Sequence, residues 1–301
     1  MNIAIIIPVF NRKKKTLSCL QQLNIIETSG LNITIVVVDD GSSDGTSEAI
    51  KAKFPGTVIL KGDGNLWWTG AINMGIKYTL ENDYEGVLLL NDDLVFSPDF
   101  IVELYAVVQK NKNALVSSLK MLENGNSEII TAGFNLKGKL RKIGNDYQGL
   151  LYNKLVMEDI LQCDIITGAS LFIPTNVIRD IGLLDFSKFP HNWGDLEYTW
   201  RASINGYKCL VATRSHIYTE YNPNYHRTYL INSSRIDYLK NLFDDKKFSY
   251  GFRFLFNRSF MHRSLMMGWI LYIRGLLSLI RFIVLKVTLP KHVLANYYSH
   301  L

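Results

Sequence analysis

The sequence predicts an α/β protein built on a mostly parallel sheet, and three observations predict it. Over the first hundred residues, short β-branched runs alternate with stretches of helical length. The short runs are apolar without a break, as in strands buried on both faces. Three of them end in polar residues, Asn11-Arg12, Asp39-Asp40-Gly41 and Asn91-Asp92-Asp93, and the carboxyl ends of parallel strands are where such sheets bind ligands. With 301 residues, 48% of them apolar, the chain can fill one large core or two smaller ones.

In order, strands are expected at residues 3–9, 33–38, 57–60 and 86–90, and helices at 13–27, 44–53, 70–82 and 98–111. Ser43 or Asp44 starts the second helix and Ser97-Pro98 the fourth. Residues 114–175 are mixed, with Gly-rich turns at 124–149 and a strand at 169–173, and 176–232 is the densest polar and aromatic stretch. There is no internal repeat and no low-complexity linker, so one continuous domain is expected to run to about residue 245.

Charge separates the remainder. The chain has 33 Lys/Arg and 27 Asp/Glu, a net of +6, but the last acid is Asp245 and nine cations follow it. The first 245 residues therefore carry a net of −3, which argues against a basic nucleic-acid-binding body. The basic tail is apolar over 252–289, and its longest uncharged run, 264–273, is ten residues, about half a membrane span. Arg263, Arg274 and Arg281 fall within about 20° of one another on a helix, the layout of an interfacial helix. A helix packed on the core and a spanning segment are the alternatives. Cys19, Cys163 and Cys209 are widely spaced, without a CxxC, and read as reduced and structural. The first apolar run precedes its charges, Arg12 to Lys15, the reverse of a signal peptide. A cytoplasmic protein is expected, in which the sequons at Asn32, Asn232 and Asn257 are silent.

Two phosphate signatures fail. Gly62-Asp63-Gly64 has Trp67 where GxGxxG needs glycine, and the GxxxxGK of 133–139 is followed by Leu140, which has no hydroxyl for a metal. The strand end Asp39-Asp40-Gly41 is more specific. Carboxylates there can accept hydrogen bonds from a base imide or ribose hydroxyls, and Gly41 lets the chain turn away. Asn91-Asp92-Asp93 offers oxygens of the kind that hold Mg²⁺ or Mn²⁺ beside a phosphate, although a simple turn would use the same residues. In the loop Gly64-Asn65-Leu66-Trp67-Trp68, adjacent tryptophans cannot both face one core, so one is expected to line a site.

Together, Ile7-Pro8-Val9-Phe10-Asn11-Arg12, the block Val38 to Thr46, Asn91-Asp92-Asp93, Thr167-Gly168-Ala169-Ser170 with Gly182-Leu183-Leu184-Asp185, and Trp193-Gly194-Asp195-Leu196-Glu197-Tyr198-Thr199-Trp200-Arg201 occur in the order seen in glycosyltransferase family 2. The chain resembles that family over about residues 3–240, and the subset with bacterial rhamnosyl- and galactofuranosyltransferases most. The resemblance implies a GT-A fold, a UDP- or dTDP-linked donor, Mg²⁺ or Mn²⁺ and inversion at the anomeric carbon. The acceptor would be a glycan or lipid-linked glycan of surface polysaccharide synthesis, met at the cytoplasmic face of the plasma membrane. Residues 1–112 would form the nucleotide-sugar half, 113–245 the acceptor and catalytic half, and 246–301 a membrane-associating tail. Asp195 would be the catalytic base. Pro8, Phe10, Asn11, Arg12, Asp39, Asp40, Gly64, Asn65, Trp67, Trp68, Asn73, Asn91 and Asp92 would hold the donor. Asp93 and Asp92 would hold the metal, joined by His216 or His226. Gly168, Ala169, Trp193, Glu197 and Arg201 would shape the acceptor loop, although Glu197 and Arg201, four apart, also suit an intrahelical ion pair.

The chain departs from the pattern at three places. Asn91 replaces an acid, Gly194 replaces the first acid of a Glu-Asp pair, and Thr219 stands where many members have a histidine. The rival readings are a nucleotide-sugar-binding protein that has lost catalysis, which retention of Asp195 opposes, and a membrane-recruited assembly component, which leaves the polar strand ends unexplained. A nucleotidyltransferase would carry a Gly-rich basic loop after the first strand, absent at Asn11-Arg12-Lys13.

Overall fold

The computed structural model describes residues 1–28, 30–123, 125–220, 231–243 and 251–294. The chain divides into two units, Met1–Tyr221 and Asn222–Leu301, a boundary ahead of the 245/246 division read from charge. No division falls near residue 112, because strands from both sides of it share one sheet.

The first unit begins β1 (Asn2–Val9), α1 (Lys13–Leu23), β2 (Asn32–Asp39), α2 (Thr46–Lys53), β3 (Val58–Lys61), α3 (Trp67–Glu81), β4 (Gly86–Leu90). It continues β5 (Val95–Phe96), α4 (Phe100–Lys110), β6 (Leu115–Leu122), then the short strands β7 (Ile129–Thr131), β8 (Asn135–Lys137) and β9 (Lys142–Gly144). It closes with β10 (Ile160–Cys163), β11 (Ser170–Pro174), α5 (Thr175–Ile181), α6 (Gly194–Ile204) and β12 (Cys209–Thr219). The main sheet has the order β10-β12-β6-β11-β4-β1-β2-β3.

Alternation along each strand explains the unbroken apolar runs. Ile3, Ile5, Ile7 and Val9 of β1 face Cys19 and Leu20 of α1, Ile50 of α2 and Phe100 and Leu104 of α4. Ile6, with Leu89 and Leu171 of the neighbouring strands, faces Ala71, Ile72 and Ile76 of α3, Val177 of α5 and Tyr198 of α6. Both faces are covered, so neither parity of side chain meets water, and each buried Leu or Ile contributes roughly 1.5–3 kcal/mol. The sheet is parallel from β3 to β4, then β11 runs antiparallel to both β4 and β6. That reversal places the start of β11 at the edge where β1, β2 and β4 end. There the Asn91 N–H donates to the Ala169 carbonyl at 3.1 Å.

In the second unit the described helices are α7 (Arg235–Asn241), α8 (Phe252–Phe260) and α9 (Leu265–Thr288). Ser234 and Ser264 cap α7 and α9 by accepting the Asp237 and Met267 N–H groups. One side of α9 packs inward: Gly268 against Phe260, Gly275 against Leu255, and the Phe282 ring on Tyr238 at 5.3 Å. Lys286 is buried on that side, its Nζ donating to the carbonyls of Ile231 and Ser233 at 3.3 and 3.0 Å, and burial lowers its pKa. Among the described residues no helix is long and apolar enough to cross a membrane.

Candidate functional site

Register aligns Val9 with Asp39 and Ile6 with Leu89, so the loops after β1, β2 and β4 emerge side by side. Asn11, at φ +52°, stitches the first two together. Its N–H donates to Ser42 Oγ and its Oδ1 accepts the Ser43 N–H, both at 2.8 Å.

The adjacent carboxylates of the second loop avoid each other by taking separate sets of donors. Asp39 accepts the Ser42 N–H at 2.8 Å and the Ser47 hydroxyl, and is turned into its own loop. Asp40 accepts N–H groups from Gly64 (2.9 Å), Leu66 and Trp67 (3.0 Å each). It therefore caps α3 from a different strand, which is why that helix starts at Trp67 and not at residue 70. Asp39, read from sequence as a nucleoside contact, also braces its own turn. Asp40→Ala leaves three N–H groups without their acceptor and is expected to cost about 3 kcal/mol of stability by urea unfolding; a loss under about 1 kcal/mol would show that water replaces the carboxylate.

Beside this brace lies a cavity of about 260 Å³. Its wall holds Pro8, Phe10, Arg12, Asp40, Gly64 and both Trp67 and Trp68, one tryptophan more than expected. His191, which sequence reasoning did not single out, completes it with its ring 5.4 Å from that of Trp67. A flat aromatic wall beside a guanidinium suits a ligand with both ring faces and anionic charge.

Arg12 also grips the third loop. Its guanidinium reaches Asp92 at 3.2 Å and Asp93 at 2.9 Å, and Thr16 donates to Asp92 at 2.9 Å. Burial works against the Arg12 charge, but the two carboxylates outweigh it and its pKa is raised. For Asp92 burial prevails over Arg12 and Thr16, and its pKa is raised. Asn91 is engaged as well, its Oδ1 accepting the Trp68 indole N–H at 3.0 Å. Among the described residues no three His, Cys, Asp or Glu side chains are grouped to cage a metal. A Mg²⁺-type ion needs only one or two carboxylates when substrate phosphates supply the rest. Asp93, a third exposed and spending one oxygen on Arg12, fits that role, while Asp92 is buried against Thr16 and Arg12.

His216 is not brought to Asp93. Along β12, Ile217 packs on one side of the sheet and Tyr218 on the other. Thr219 shares a cavity with Asp92 and Asp93, while His216, on the opposite parity, bonds the Thr213 carbonyl at 2.9 Å and abuts Tyr152. His226 lies outside the described residues.

Asp195 sits in the first turn of α6, half-buried, and accepts the Gly168 N–H at 2.7 Å. Burial raises its pKa against that bond and against the charge of Lys120. The approach is tight: a Cβ on Gly168 would lie 2.7 Å from Asp195 Cβ and 2.8 Å from the Trp68 ring. Gly194 is equally confined, since a Cβ there would meet Thr69 Oγ1 and come within 3.2 Å of the Phe189 carbonyl. This explains the missing first acid, for which there is no room.

Lys120 escaped the sequence reading. The Ser118 and Ser170 hydroxyls bond at 2.8 Å and Ser170 pairs with Leu90, the last residue of β4, so Lys120 stands two residues past the end of β4, still paired with Ile217 of β12 and Thr131 of β7. Its electrostatic partners are Asp93 and Asp195. A lone lysine between Leu119 and Met121 in an otherwise buried strand was the available signal. Lys120→Met removes the charge that favours ionised Asp195, so the Asp195 pKa, followed by carboxyl NMR, is expected to rise further; an unmoved titration would disconnect the two.

Other proposed residues make contacts of their own within the fold. Asn73 clasps the Leu184 backbone through both its amide atoms, at 2.9 and 3.0 Å. Glu197 and Arg201 form the intrahelical pair at 3.1 Å, and Arg201 also holds the carbonyls of Ile181 and Leu183. Ala169 is buried in the core, the Asn65 N–H bonds Asp63, and Trp193 precedes α6 at φ +71°.

The glycosyl transferase family 2 model matches residues 4–153, which contain these three loops. The chain belongs to that family. It is 31% identical over 159 residues to the low-salt glycan biosynthesis hexosyltransferase Agl10 of Haloferax volcanii, covering 51% of this chain and 49% of that protein. It is 30% identical over 131 residues to an uncharacterized protein of Methanocaldococcus jannaschii, covering 42% and 48%. The chain thus spans about half the length of the curated relatives it matches. Among solved structures, GalNAc-T7 with UDP, GalNAc and Mn²⁺ superposes at a TM-score of 0.60 over 91% of this chain and 54% of that one. The mannosyltransferase PcManGT of Pyrobaculum calidifontis, with GDP-Man and Mn²⁺, gives 0.56 over 99% and 79%. Both are 14% identical and show the fold, a GT-A architecture with its mixed sheet between helices.

Proposed function

We propose that this family 2 member is an inverting hexosyltransferase, moving a sugar from a UDP- or dTDP-linked donor to a hydroxyl of a glycan or lipid-linked glycan acceptor. The carrying observation is Asp195, held by the Gly168 N–H at 2.7 Å beside the Trp68 wall of the cavity, with no room for a second acid at Gly194. One positioned carboxylate suits a single displacement. Asp195 takes the proton of the acceptor hydroxyl, whose oxygen bonds the anomeric carbon as the bond from that carbon to the diphosphate breaks. Arg12 and Lys120 place two cations near the departing charge, and Trp67 and Trp68 stack the donor. A divalent ion, held through Asp93 and the donor phosphates, would supply further neutralisation of the diphosphate. The Mn²⁺ present in both solved structures of the same fold supports that element, and the Haloferax relative, a glycan biosynthesis hexosyltransferase, supports a hexosyl group and a glycan product.

The test is nucleoside diphosphate release from a panel of UDP-, dTDP- and GDP-sugars, with and without Mn²⁺. One donor turned over with inverted configuration, tracked by NMR, is the expected result. Donor binding with no turnover on any acceptor would return the protein to the class of non-catalytic nucleotide-sugar binders.

A further inference from the structure

The outer side of α9 is apolar and open. Ile270, Ile273, Leu277, Ile280, Val284 and Val287 recur at alternating spacings of three and four, and all are exposed, Leu277 by 63% and Val284 by 53%. At about 100° per residue they fill a sector roughly 100° wide along a helix about 36 Å long. Arg274 and Arg281 lie within about 40° of one margin of that sector, and Trp269, half exposed, stands at its N-terminal end. The opposite side is committed to α7 and α8, with Lys286 turned inward on the carbonyls of Ile231 and Ser233.

A three-four spacing also suits a coiled coil with a second copy. Charge decides against that: α9 contains no acid, and none follows Asp245 anywhere in the chain. A partner copy would bring only more arginine to the flank, where paired helices use complementary charges. A lipid surface satisfies both features at once, because arginine stems lie along apolar surface while their heads reach anionic phosphates. We infer that α9 is an interfacial helix that lies flat on an anionic bilayer, its stripe in the acyl boundary and Arg274 and Arg281 at the headgroups. This rests on the proposed function only for the acceptor's location; the binding itself is independent of catalysis.

The test uses the full chain with vesicles of phosphatidylcholine alone or mixed with phosphatidylglycerol. Binding is expected to be at least about tenfold tighter to the anionic vesicles at low salt. Leu277→Glu should weaken it about 10²-fold at any salt, and Arg274→Gln with Arg281→Gln about tenfold at low salt but little at high salt. Should Leu277→Glu fail to fold by circular dichroism, quenching of Trp269 by brominated lipid, compared with Trp269→Phe, gives the same answer in a folded chain. Nucleoside diphosphate release with a soluble acceptor, followed in parallel, should be unchanged by the α9 variants, so failure of lipid binding and failure of the transfer reading are separable. A chain that ignores both vesicle types, or that sediments as a dimer dissociated by Leu277→Glu without binding lipid, overturns the inference.

Discussion

Asp195→Asn is expected to lower turnover by about 10²- to 10⁴-fold, the usual worth of a positioned general base, while donor affinity stays within about twofold, since Asp195 is not in the wall of the aromatic cavity. The amide keeps the side chain's shape and can still accept the Gly168 N–H, so the loop that joins Gly168 to α6 is preserved. Stability should hold or rise. Burial raises the Asp195 pKa in the folded state, so the folded chain prefers the protonated form, and ionisation opposes folding as pH rises through that pKa; the neutral amide removes the opposition. Pre-steady-state release of nucleoside diphosphate together with a denaturant melt checks all three quantities. Weakened donor binding with intact turnover would move the base elsewhere.

Asp93→Asn is expected to lower turnover by about 10³-fold or more, equivalent to roughly 4 kcal/mol of transition-state stabilisation. An amide at this position still accepts a hydrogen bond from Arg12, so the grip on the β4 loop survives, but it is a poor ligand for a hard cation. Excess EDTA on the unaltered chain should give a loss of the same order, restored by Mn²⁺ or Mg²⁺. Full activity in EDTA would leave Arg12 and Lys120 as the charges that stabilise the leaving diphosphate. Asp92→Asn is a different experiment, because Asp92 is buried against Thr16 and Arg12 and its loss acts first on stability.

Three non-glycine residues with positive φ, Asn11, Trp67 and Trp193, stand in or beside the site loops. Asparagine tolerates that conformation, whereas a tryptophan there costs of order 1–3 kcal/mol. At Trp67 the Asp40 carboxylate offsets the cost by accepting its N–H at 3.0 Å. The result is a fixed main chain from which the indole lines the cavity wall against the His191 ring, a platform for a ring.

The alternation of apolar runs and amphipathic stretches determined by itself that β1 to β4 form a parallel sheet with helices on both faces, because covering both faces is the only way to bury both parities of an unbroken apolar strand. The same logic placed the polar strand ends at one edge, and the absence of acids after Asp245 marked the tail as a cationic segment. Tertiary structure decided which polar residue faces what. Asp39 and Asp40 are neighbours in sequence, yet one braces its own turn and the other caps a helix 26 residues on; a carboxylate goes to whichever N–H groups lack acceptors, and those are defined only after the strands pair. The parity of β12 set Thr219, and not His216, toward Asp93. The reversed strand β11 brought Gly168 against Asp195 and left Gly194 no space for an acid. Lys120 acquired its carboxylate neighbours only because β6 lies beside β11 in the sheet. Local propensity reads a chain's own neighbours, while charge and hydrogen bonding act through space between segments that only the packed core brings together.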